Sequence, residues 1–483
     1  MTNMTMPADA GRHPKAFAEL MRVRGLPLPA AGAVRITGAD PFYRTPFRIG
    51  ETVAAALAAI GTAASDIWEL RTGRRQRVAI DVRHAAATLR TVDYSRRRGR
   101  DGLFQPIPIP DAMAHMLTVT QPWPARDGRW FLPHLNLQHL AARVLGVLEC
   151  ENTPAGVAAA VARWNAGELE EAIAGARACG GVIRTRQEWR AHAQGRFLAA
   201  RPVVNIVKVA DSAPMPFPAG DRPLSGIRAL DLTRILAGPI AGRSLAEHGA
   251  DVLMVTAPHL PQASGHVRDT SHGKRSCFLD LRMPADADRF AALINDADVF
   301  IDGYRPGVLD KFGFGAQALL ARRPGLIYLA IDCFGPGGPF AGRAGWEQVA
   351  QAVTGVCQTY GELTNGGKPK LVFAPMCDYT TGYLAAYGTM LALARRAREG
   401  GSYRVEVSLC RSAMFIQDQG LLEQFADAPE RLSGEELGAL SVEADTPYGR
   451  LRTLGPVLAM SETPCHWARP TPELGGDAPQ WSN

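Results

Sequence analysis

Short apolar runs recur along the second half of the chain, and stretches with helical periodicity separate them. The runs are GIRALDLT (226–233), ADVLMV (250–255), CFLDL (277–281), DVFIDG (298–303) and LIYLAID (326–332). This alternation predicts a parallel sheet covered by helices on both faces. Ligands of such sheets bind at the carboxyl ends of the strands, so function is expected in the loops that follow these runs.

One segment of the first half resembles a segment of the second half. An Ala-rich helical stretch, 50–67, is followed by a polar turn at 71–74 and by an alternating strand, RVAIDV, at 77–82. Residues 382–409 repeat the plan of Gly, Ala-rich helix, Arg-Gly turn and Arg-Val strand, with a short insertion in the turn. Helix, turn and strand in one order favour duplication over chance similarity of two Ala-rich helices.

Composition places the chain among ordinary globular proteins. Its 483 residues, 46% hydrophobic and 21% charged, are too many for one core, so at least two domains are expected. The net charge of +6 comes from short, scattered Arg clusters without aromatic platforms. That distribution argues against nucleic-acid binding and suits a small polyanionic ligand.

The eight cysteines stand singly, without CxxC pairs or His/Cys clusters at metal-ligand spacing. They predict reduced thiols in the cytoplasm and no metal site. Met1 to Leu20 lacks the apolar core of a signal peptide, and no run reaches the ~20 apolar residues of a membrane span. We therefore expect a soluble cytoplasmic protein without membrane contact.

Common cofactor and catalytic motifs of α/β proteins are missing. The loop after the first run, TRILAGPIAG, has Gly238 and Gly242 but no G-x-G-x-x-G fingerprint. The sequence has no P-loop and no G-x-S-x-G elbow after a strand. Dinucleotide binding and serine hydrolysis are accordingly disfavoured.

Two basic loops and one carboxylate are the remaining candidates. GHVRDTSHGKRS places Lys274 next to a strand, and GYRPGVLDKFGFG places Arg305 and Lys311 after another. Either these loops bind a phosphorylated ligand, or they are solvated surface. Asp378, in KLVFAPMCDYTTG, precedes the second Ala-rich helix, where an Asp is commonly only an N-cap. A capping position and a reactive one are compatible, because N–H groups at a helix start also stabilise an oxyanion.

With these segments in order, residues 222–415 resemble the class III CoA-transferase family (CaiB/BaiF), which includes formyl-CoA transferase and α-methylacyl-CoA racemase. The carrying segments are PLSGIRALDLTRILAGPIAGRSLAEHGADVLMV, HGKRSCFLDLR, DVFIDGYRPGVLDKFGFG, FGPGGPFAGRAGWEQVAQAVTG and APMCDYTTGYLAAYGTMLALARRAREGGSYRVEVSL. The resemblance implies an α/β fold with a Rossmann-like parallel-sheet large domain and a second, smaller α/β domain, usually as an interlocked homodimer.

The resemblance also implies site residues. Asp378 corresponds to the nucleophilic aspartate, and backbone N–H groups from Tyr379 to Gly382 are the expected oxyanion donors. Coenzyme A and acyl-CoA would be substrates, together with a carboxylic acid, and no permanently bound cofactor is expected. The implied CoA contacts are Leu236, Ala237, Ser271, His272, Gly273, Lys274, Gly303, Tyr304, Arg305, Lys311, Phe312, Asp332, Phe334 and Gly335.

The first half also resembles segments of the family, but these segments stand in a different order along this chain. Its 50–90 segment looks like the part after the nucleophile, and its later part like the small domain. Aligning Gly50 with Gly382 puts Pro46 at the nucleophile position, so one reactive site per chain is predicted. The predicted units are a flexible lead-in (1–40), a degenerate partial large-domain copy (41–124), the small domain (125–210), a proline-rich linker (211–223), the CoA-binding large domain (224–430) and a closing segment (431–483).

Several departures from the family pattern leave two alternatives open. Thr256 and Ala257 stand where charged residues are usual, and Gly180-Gly181 is a poor substitute for the glycine-rich loop of the transferases. Where the racemase branch has Gly-His-Asp, this chain has Trp346 in the middle position, which cannot exchange protons at neutral pH. The alternatives are a racemase or isomerase that uses Asp378 as a base, and a catalytically silent CoA-ester-binding protein.

Overall fold

A computed structural model describes residues 14–482. The strands are β1 Val34–Thr37, β2 Val78–Asp81, β3 Arg96–Arg98, β4 Phe104–Pro106, β5 Trp123–Pro124, β6 Trp130–Pro133, β7 Gly180–Val182, β8 Asn205–Ala210, β9 Arg228–Leu232, β10 Asp251–Thr256, β11 Arg275–Phe278, β12 Val299–Asp302, β13 Ile327–Asp332, β14 Ser402–Ser408, β15 Ser441–Thr446, β16 Gly449–Leu454 and β17 Ala459–Met460. The helices are α1 Lys15–Arg24, α2 Ile49–Thr72, α3 Val82–Ala87, α4 Thr91–Tyr94, α5 Asp111–Val119, α6 Gln138–Leu148, α7 Pro154–Val161, α8 Ala166–Gly175, α9 Arg186–Ala191, α10 Ala193–Ala199, α11 Ala237–Glu247, α12 Ser264–Thr270, α13 Pro284–Asn295, α14 Ala316–Arg322, α15 Glu347–Thr354, α16 Val356–Thr364, α17 Met376–Glu399, α18 Leu409–Asp418 and α19 Gly434–Leu440, with 3₁₀ turns at Thr88–Arg90 and Leu309–Phe312.

The large sheet has the strand order β11-β10-β9-β12-β13-β14-β8. All neighbours in it are parallel except β8, which is antiparallel to β14. Alternate side chains enter opposite layers, since Val299 and Ile301 join the core with α11 and α17, whereas Phe300 joins the core with α13 and α14. The predicted α/β fold with a doubly covered parallel sheet is thereby confirmed.

A smaller unit follows the first helices. β5, β6 and β7 form an antiparallel sheet, and α6, α7 and α8 pack with it around a separate apolar core. β8 was predicted inside this smaller domain (125–210), but it extends the large sheet instead. The prediction failed there because an alternating apolar run does not reveal which sheet it joins.

The lead-in prediction needs correction. Residues 1–13 lie outside the described part, but α1 buries Phe17 and Leu20 in the main core. Arg24 is almost fully buried and bonds both carboxylate oxygens of Asp66 in α2, at 2.7 and 2.6 Å. This segment is therefore part of the packed structure from α1 onward.

The two helix–strand segments of the internal repeat are more similar in structure than their sequences suggested. α2 and α17 each span 24 residues and end at a glycine with positive φ. Thr62 and Thr389, 327 positions apart, each donate to the carbonyl four residues earlier, at 2.8 and 2.9 Å. The glycines before them lie so close to the next strand that an added Cβ would meet Val78 Cγ1 at 2.5 Å in the first copy and Val405 Cγ1 at 2.7 Å in the second.

Because both the threonine bonds and the valine contacts keep the same offset of 327 residues, the turn contains no insertion. In this register Glu51, not Pro46, stands opposite Asp378. The alignment of Gly50 with Gly382 was five residues out of register, because Ala-rich helices match at several registers. The position in the first copy equivalent to Asp378 therefore also carries a carboxylate.

α2 is the one helix in the described part that is long and apolar enough to cross a membrane, and 89% of its most apolar window is buried inside the protein. It packs against α17, α1 and α3. α2 is accordingly a core helix.

The C-terminal residues add strands to two sheets and cover the edge of a third. β15 and β16 form a sheet with β3 and β4, and β17 pairs with β2. Farther on, the chain runs along the outer edge of β11, where Cys277 bridges to Gly476 and Ser276 N–H donates to the Asp477 carboxylate at 2.8 Å.

Candidate active site

Asp378 is the third residue of α17 and so lies in its first turn. This helix packs over β13 and β14. Its side chain is half-buried, while Cys377 and Tyr379 beside it are buried. Asp378 is not the N-cap, because Pro375 occupies that position and has no capping side chain. The capping interpretation of Asp378 is therefore wrong.

Glu347, the first residue of α15, supplies the missing cap from a different element. Its carboxylate accepts the backbone N–H of Asp378 at 2.7 Å and that of Cys377 at 3.2 Å. Gln351, one turn along α15, donates its amide N–H to the same carboxylate at 2.7 Å. Three N–H donors at a helix start favour the ionised form of this carboxylate and oppose the effect of burial, which favours the protonated form.

The two neighbouring carboxyl groups, Asp378 and Glu347, differ in the effects that act on their pKa values. Burial, and then the negative charge of Glu347, raise the pKa of Asp378 well above its ordinary value. Burial also raises the pKa of Glu347, but its three N–H donors oppose that change. Within residues 14–482 no hydrogen bond reaches the Asp378 carboxylate, so when the pair holds one proton, Asp378 carries it.

The predicted oxyanion donors are not available. Tyr379 N–H donates to Pro375 O at 3.1 Å, and the N–H groups of 380–382 lie within the hydrogen-bonded turns of α17. The two N–H groups before them are occupied by Glu347. The prediction failed because the helix begins two residues before Asp378 rather than after it.

Several predicted CoA-contact loops meet at the carboxyl ends of β9 and β12. Gly303 approaches Thr233 so closely that an added Cβ would lie 3.0 Å from its methyl group. Ala237, preceded by Leu236 at the start of α11, lies against Gly382 of α17, where an added Cβ would come within 2.6 Å of Ala237 O. These predicted positions are thus brought next to the helix that carries Asp378.

A cluster of cationic groups lies between this loop region and the small domain. Arg234 lies 5.6 Å from the ring of Tyr304, on the neighbouring loop. Burial, then Arg177 and Arg143 of the small domain, lower the pKa of Arg305. Burial, then Arg143, Arg234 and Arg305, also lower the pKa of His139. We call these five residues the basic cluster: His139, Arg143, Arg177, Arg234 and Arg305. Its positive charge near pH 7 comes from the four arginines, because the lowered pKa of His139 leaves that imidazole neutral.

No member of the basic cluster forms an ion pair with a carboxylate anywhere in the described chain. Arg143 donates to Arg177 O at 3.3 Å, and Arg234 to Pro261 O at 3.1 Å. Cationic groups gathered without counter-charges repel each other, and a bound polyanion would relieve that repulsion.

The basic cluster and Asp378 belong to one region. Arg305 lies close enough to Cys179 to oppose the burial-driven rise in the pKa of that thiol. Cys179 is in turn next to Cys333, whose pKa is raised by burial and, among lesser causes, by Asp378. The basic cluster and Asp378 therefore both lie near the buried thiols of Cys179 and Cys333.

The KRS segment has a different role from the predicted one. Lys274 is fully buried, and its ammonium donates to the Asp231 carboxylate at 2.7 Å and to Pro239 O at 2.8 Å. Arg275 is held by Asp251 at 2.9 Å. A lysine enclosed in this way cannot contact a phosphate, so the structure contradicts that role for Lys274.

The residues before Lys274 are also enclosed. His272 stacks on Trp467 of the closing segment, with ring centroids 4.7 Å apart, and Gly273 N–H donates to Arg469 O at 3.0 Å. Ser271 is buried as well. The closing segment therefore covers two more of the predicted CoA contacts, His272 and Gly273, and the third, Ser271, is enclosed beside Met254.

The remaining predicted contacts divide into enclosed and open positions. Asp332 accepts the N–H of Gly335, and Gln194 of the small domain donates to Phe334 O at 2.6 Å, so this turn is covered. Burial raises the pKa of Asp332 to about 7. Lys311 and Phe312 are exposed in the 3₁₀ turn after β12.

Sequence reasoning did not assign Glu347 as the partner of Asp378, nor four members of the basic cluster. Glu347 was visible only as a departure from the racemase pattern. Arg143 and Arg177 come from a part of the chain more than 120 residues before the loop they face, and no sequence spacing signals that proximity. Arg234, directly after β9, was the one member whose strand-end position could have indicated it.

The small domain also brings a histidine to this side of the molecule. His134 stacks on Trp346 with ring centroids 5.0 Å apart, and its Nε2 lies 3.0 Å from Gln348 Oε1. Burial lowers the pKa of His134 to about 4, so the imidazole is neutral near pH 7. It is fully enclosed and serves as packing rather than as an exposed base.

Residues 224–442 match the protein family described as CoA-transferase family III, which confirms the predicted resemblance over that segment. The chain is 36% identical over 272 residues to an acyl-CoA transferase of Gibberella moniliformis, covering 53% of this chain and 48% of that protein. It is 34% identical over 229 residues to the formyl-CoA:oxalate CoA-transferase of Afipia carboxidovorans, covering 43% and 53%. The chain thus spans about half the length of these curated relatives.

Among solved structures, Rv3272 from Mycobacterium tuberculosis is 31% identical, with a TM-score of 0.38, over 41% of this chain and 58% of that one. A CaiB/BaiF family protein from Brucella suis is 29% identical, with a TM-score of 0.38, over 48% and 65%.

Proposed function

We propose that this chain transfers coenzyme A between an acyl-CoA thioester and a carboxylic acid, with Asp378 as the nucleophile. The observation that carries the proposal is the half-buried Asp378 carboxylate, whose N–H is held by Glu347, near a cationic cluster that has no counter-charge among the described residues. CoA carries several phosphates, which suit that cluster. The names of the relatives support the same chemistry.

In the proposed mechanism the ionised Asp378 attacks the thioester carbonyl, giving an acyl-aspartyl anhydride and CoA thiolate. The thiolate then attacks the aspartyl carbonyl, releases the acyl group as its carboxylate, and leaves an enzyme thioester. The acceptor carboxylate attacks this thioester and expels CoA thiolate, which leaves an anhydride between the acceptor and Asp378. The thiolate then attacks the acceptor carbonyl of that anhydride, which forms the new acyl-CoA and regenerates the Asp378 carboxylate. A carboxylate out of water and beside another negative charge is more basic, and so more nucleophilic, than a free one.

A racemase or isomerase needs a group that exchanges protons with the α-carbon. At the position of the racemase histidine this chain has Trp346, which has no proton to exchange at neutral pH, and the His134 that stacks on it is enclosed and neutral, so neither can assist Asp378 as a second proton-exchanging group. These observations favour acyl transfer over proton exchange.

The deciding experiment traps the intermediate. Wild type is incubated with a panel of acyl-CoAs and hydroxylamine, and residue 378 is examined by mass spectrometry for a hydroxamate. D378N keeps the side-chain volume, so it should bind CoA but form no hydroxamate and lose transfer by several orders of magnitude. Full transfer by D378N excludes the mechanism, CoA binding without wild-type turnover indicates the silent binder, and solvent deuterium at the α-carbon without CoA exchange indicates the racemase.

The proposed setting is the cytoplasm, where thiols stay reduced. All eight cysteines are free, and six of them are buried. A homodimer remains the proposed assembly, to be tested by light scattering during size-exclusion chromatography.

A further inference from the structure

Away from Asp378, three potential metal ligands converge where the closing segment crosses the end of α11. Glu247 is the last residue of that helix, His248 follows it, and Cys465 comes from the closing segment. One ligand atom from each residue lies within 4.8 Å of those of the other two. We infer that Glu247, His248 and Cys465 form a zinc site.

The imidazole of His248 gives an independent sign of a ligand. The residue is 2% exposed, and its Nε2 is buried without a hydrogen-bond partner in the described chain. Buried imidazole nitrogens are rarely left without a partner, because the lost hydration is not replaced. A bound cation is a partner that would satisfy such a nitrogen.

The donor set selects the metal. A thiolate, an imidazole and a carboxylate are the ligand types of Zn²⁺, whereas Ca²⁺ and Mg²⁺ require oxygen donors. Zinc bonds of about 2.0–2.3 Å would draw the three atoms somewhat closer together. Glu247 and Cys465 are only half-buried, so a water molecule can reach the fourth coordination position.

Charge balance is compatible with this site. The Cys465 thiol gives its proton to solvent when it binds, and the thiolate and carboxylate then neutralise the two charges of zinc. Two arginines, Arg243 and Arg222, act on Glu247, and Arg243 is already paired with the Asp269 carboxylate at 3.0 Å. Arg222 has no such carboxylate partner in the described chain. Its guanidinium is engaged by two backbone carbonyls, those of Glu247 and, at 2.7 Å, His466, and its charge also favours the thiolate over the thiol.

The site is separate from the proposed reaction centre. Ala237, at the start of α11, lies against α17, whereas Glu247 is ten residues farther along the helix, or about 15 Å at 1.5 Å per residue. The metal would therefore fasten the closing segment to the large domain, and the inference holds whether or not Asp378 is the nucleophile.

Cobalt provides a direct probe, because Co²⁺ bound to a thiolate absorbs in the near ultraviolet. The tag-free full chain is stripped with a chelator and titrated with Co²⁺. We expect a thiolate-to-cobalt band that saturates at one equivalent and disappears when Zn²⁺ is added. C465S keeps a hydroxyl that can bond Glu247 but should lose the band, while C150S, changed at the other half-buried cysteine, should keep it.

Two further measurements guard against misfolding of a variant. Zn²⁺ should raise the Tm of wild type and C150S but leave C465S unchanged. H248Q should bind Co²⁺ at least tenfold more weakly than wild type, with a normal circular dichroism spectrum. The absence of a band in wild type, its persistence in C465S, or unchanged affinity in H248Q overturns the inference.

Discussion

The backbone N–H of Asp378 donates to the carboxylate of Glu347 at 2.7 Å, so the start of the helix is capped by a residue 31 positions earlier in the chain. Because Glu347 caps the helix, the Asp378 side chain does not have to do so. It also places a negative charge beside the carboxylate that is proposed to react, which links the shape of the helix start to the acidity of the nucleophile.

The first prediction concerns pH. Only ionised Asp378 can attack a thioester, and its raised pKa means that transfer is lost as pH falls through that raised value rather than near the ordinary one. E347Q removes the neighbouring negative charge while its carbonyl can still accept an N–H, so the pKa of Asp378 should fall. The acidic limb of kcat/KM against pH should therefore move to lower pH.

A matched control is E362Q, because Glu362 is exposed and bonded only to Gln358. Its pH profile should coincide with that of wild type. A profile of E347Q that is unshifted, or shifted to higher pH, would contradict the proposed charge coupling.

The second prediction tests the basic cluster. R177Q and R305Q should each weaken CoA binding about tenfold, the loss expected for one charge-assisted hydrogen bond. Isothermal titration calorimetry should be done at low and at high salt. The difference in CoA affinity between each variant and wild type should narrow at high salt, because salt screens the remaining charges.

R129Q removes an exposed small-domain arginine that pairs with Glu188, and its affinity should stay at the wild-type value. If R177Q binds CoA as R129Q does, Arg177 takes no part in ligand binding.

The third prediction concerns Lys274, first expected at a phosphate and found in the core. K274M leaves the Asp231 carboxylate buried without its cation, which should lower the free energy of unfolding by about 3–5 kcal/mol. D231N/K274M removes both charges and should recover part of that loss in urea titrations. K311A, at an exposed lysine, should unfold as wild type does, whereas a small effect of K274M would show that Asp231 finds another partner.

The fourth prediction tests the repeat. G61A and G388A each add a methyl group where Cβ would meet a valine at 2.5 and 2.7 Å, respectively. Each should destabilise the protein by about 1–3 kcal/mol, although alanine favours a helix. G438A adds its methyl group in open space in α19 and should not destabilise. A neutral effect of either repeat variant would show that the two helix–strand contacts are not equivalent.

Local patterns predicted the fold well where residues adjacent in sequence determine it. The apolar runs identified β9, β10, β12 and β13, because buried parallel strands are continuous apolar segments. The same patterns could not show that β8 leaves the small domain, or that Lys274 points inward to Asp231, since both depend on contacts between distant segments. Asp378 was found through a motif, whereas Glu347 and Arg177 reach its neighbourhood only through tertiary folding.

The strand edge beneath the closing segment has a consequence for solubility. β11 ends the large sheet, and its outer side would offer unpaired N–H and C=O groups to any other extended chain. The bridge from Cys277 to Gly476 and the bond from Ser276 to Asp477 occupy that side. Removing these last residues would expose a template for intermolecular β-pairing, so a shortened chain should form aggregates even while its sheet remains intact.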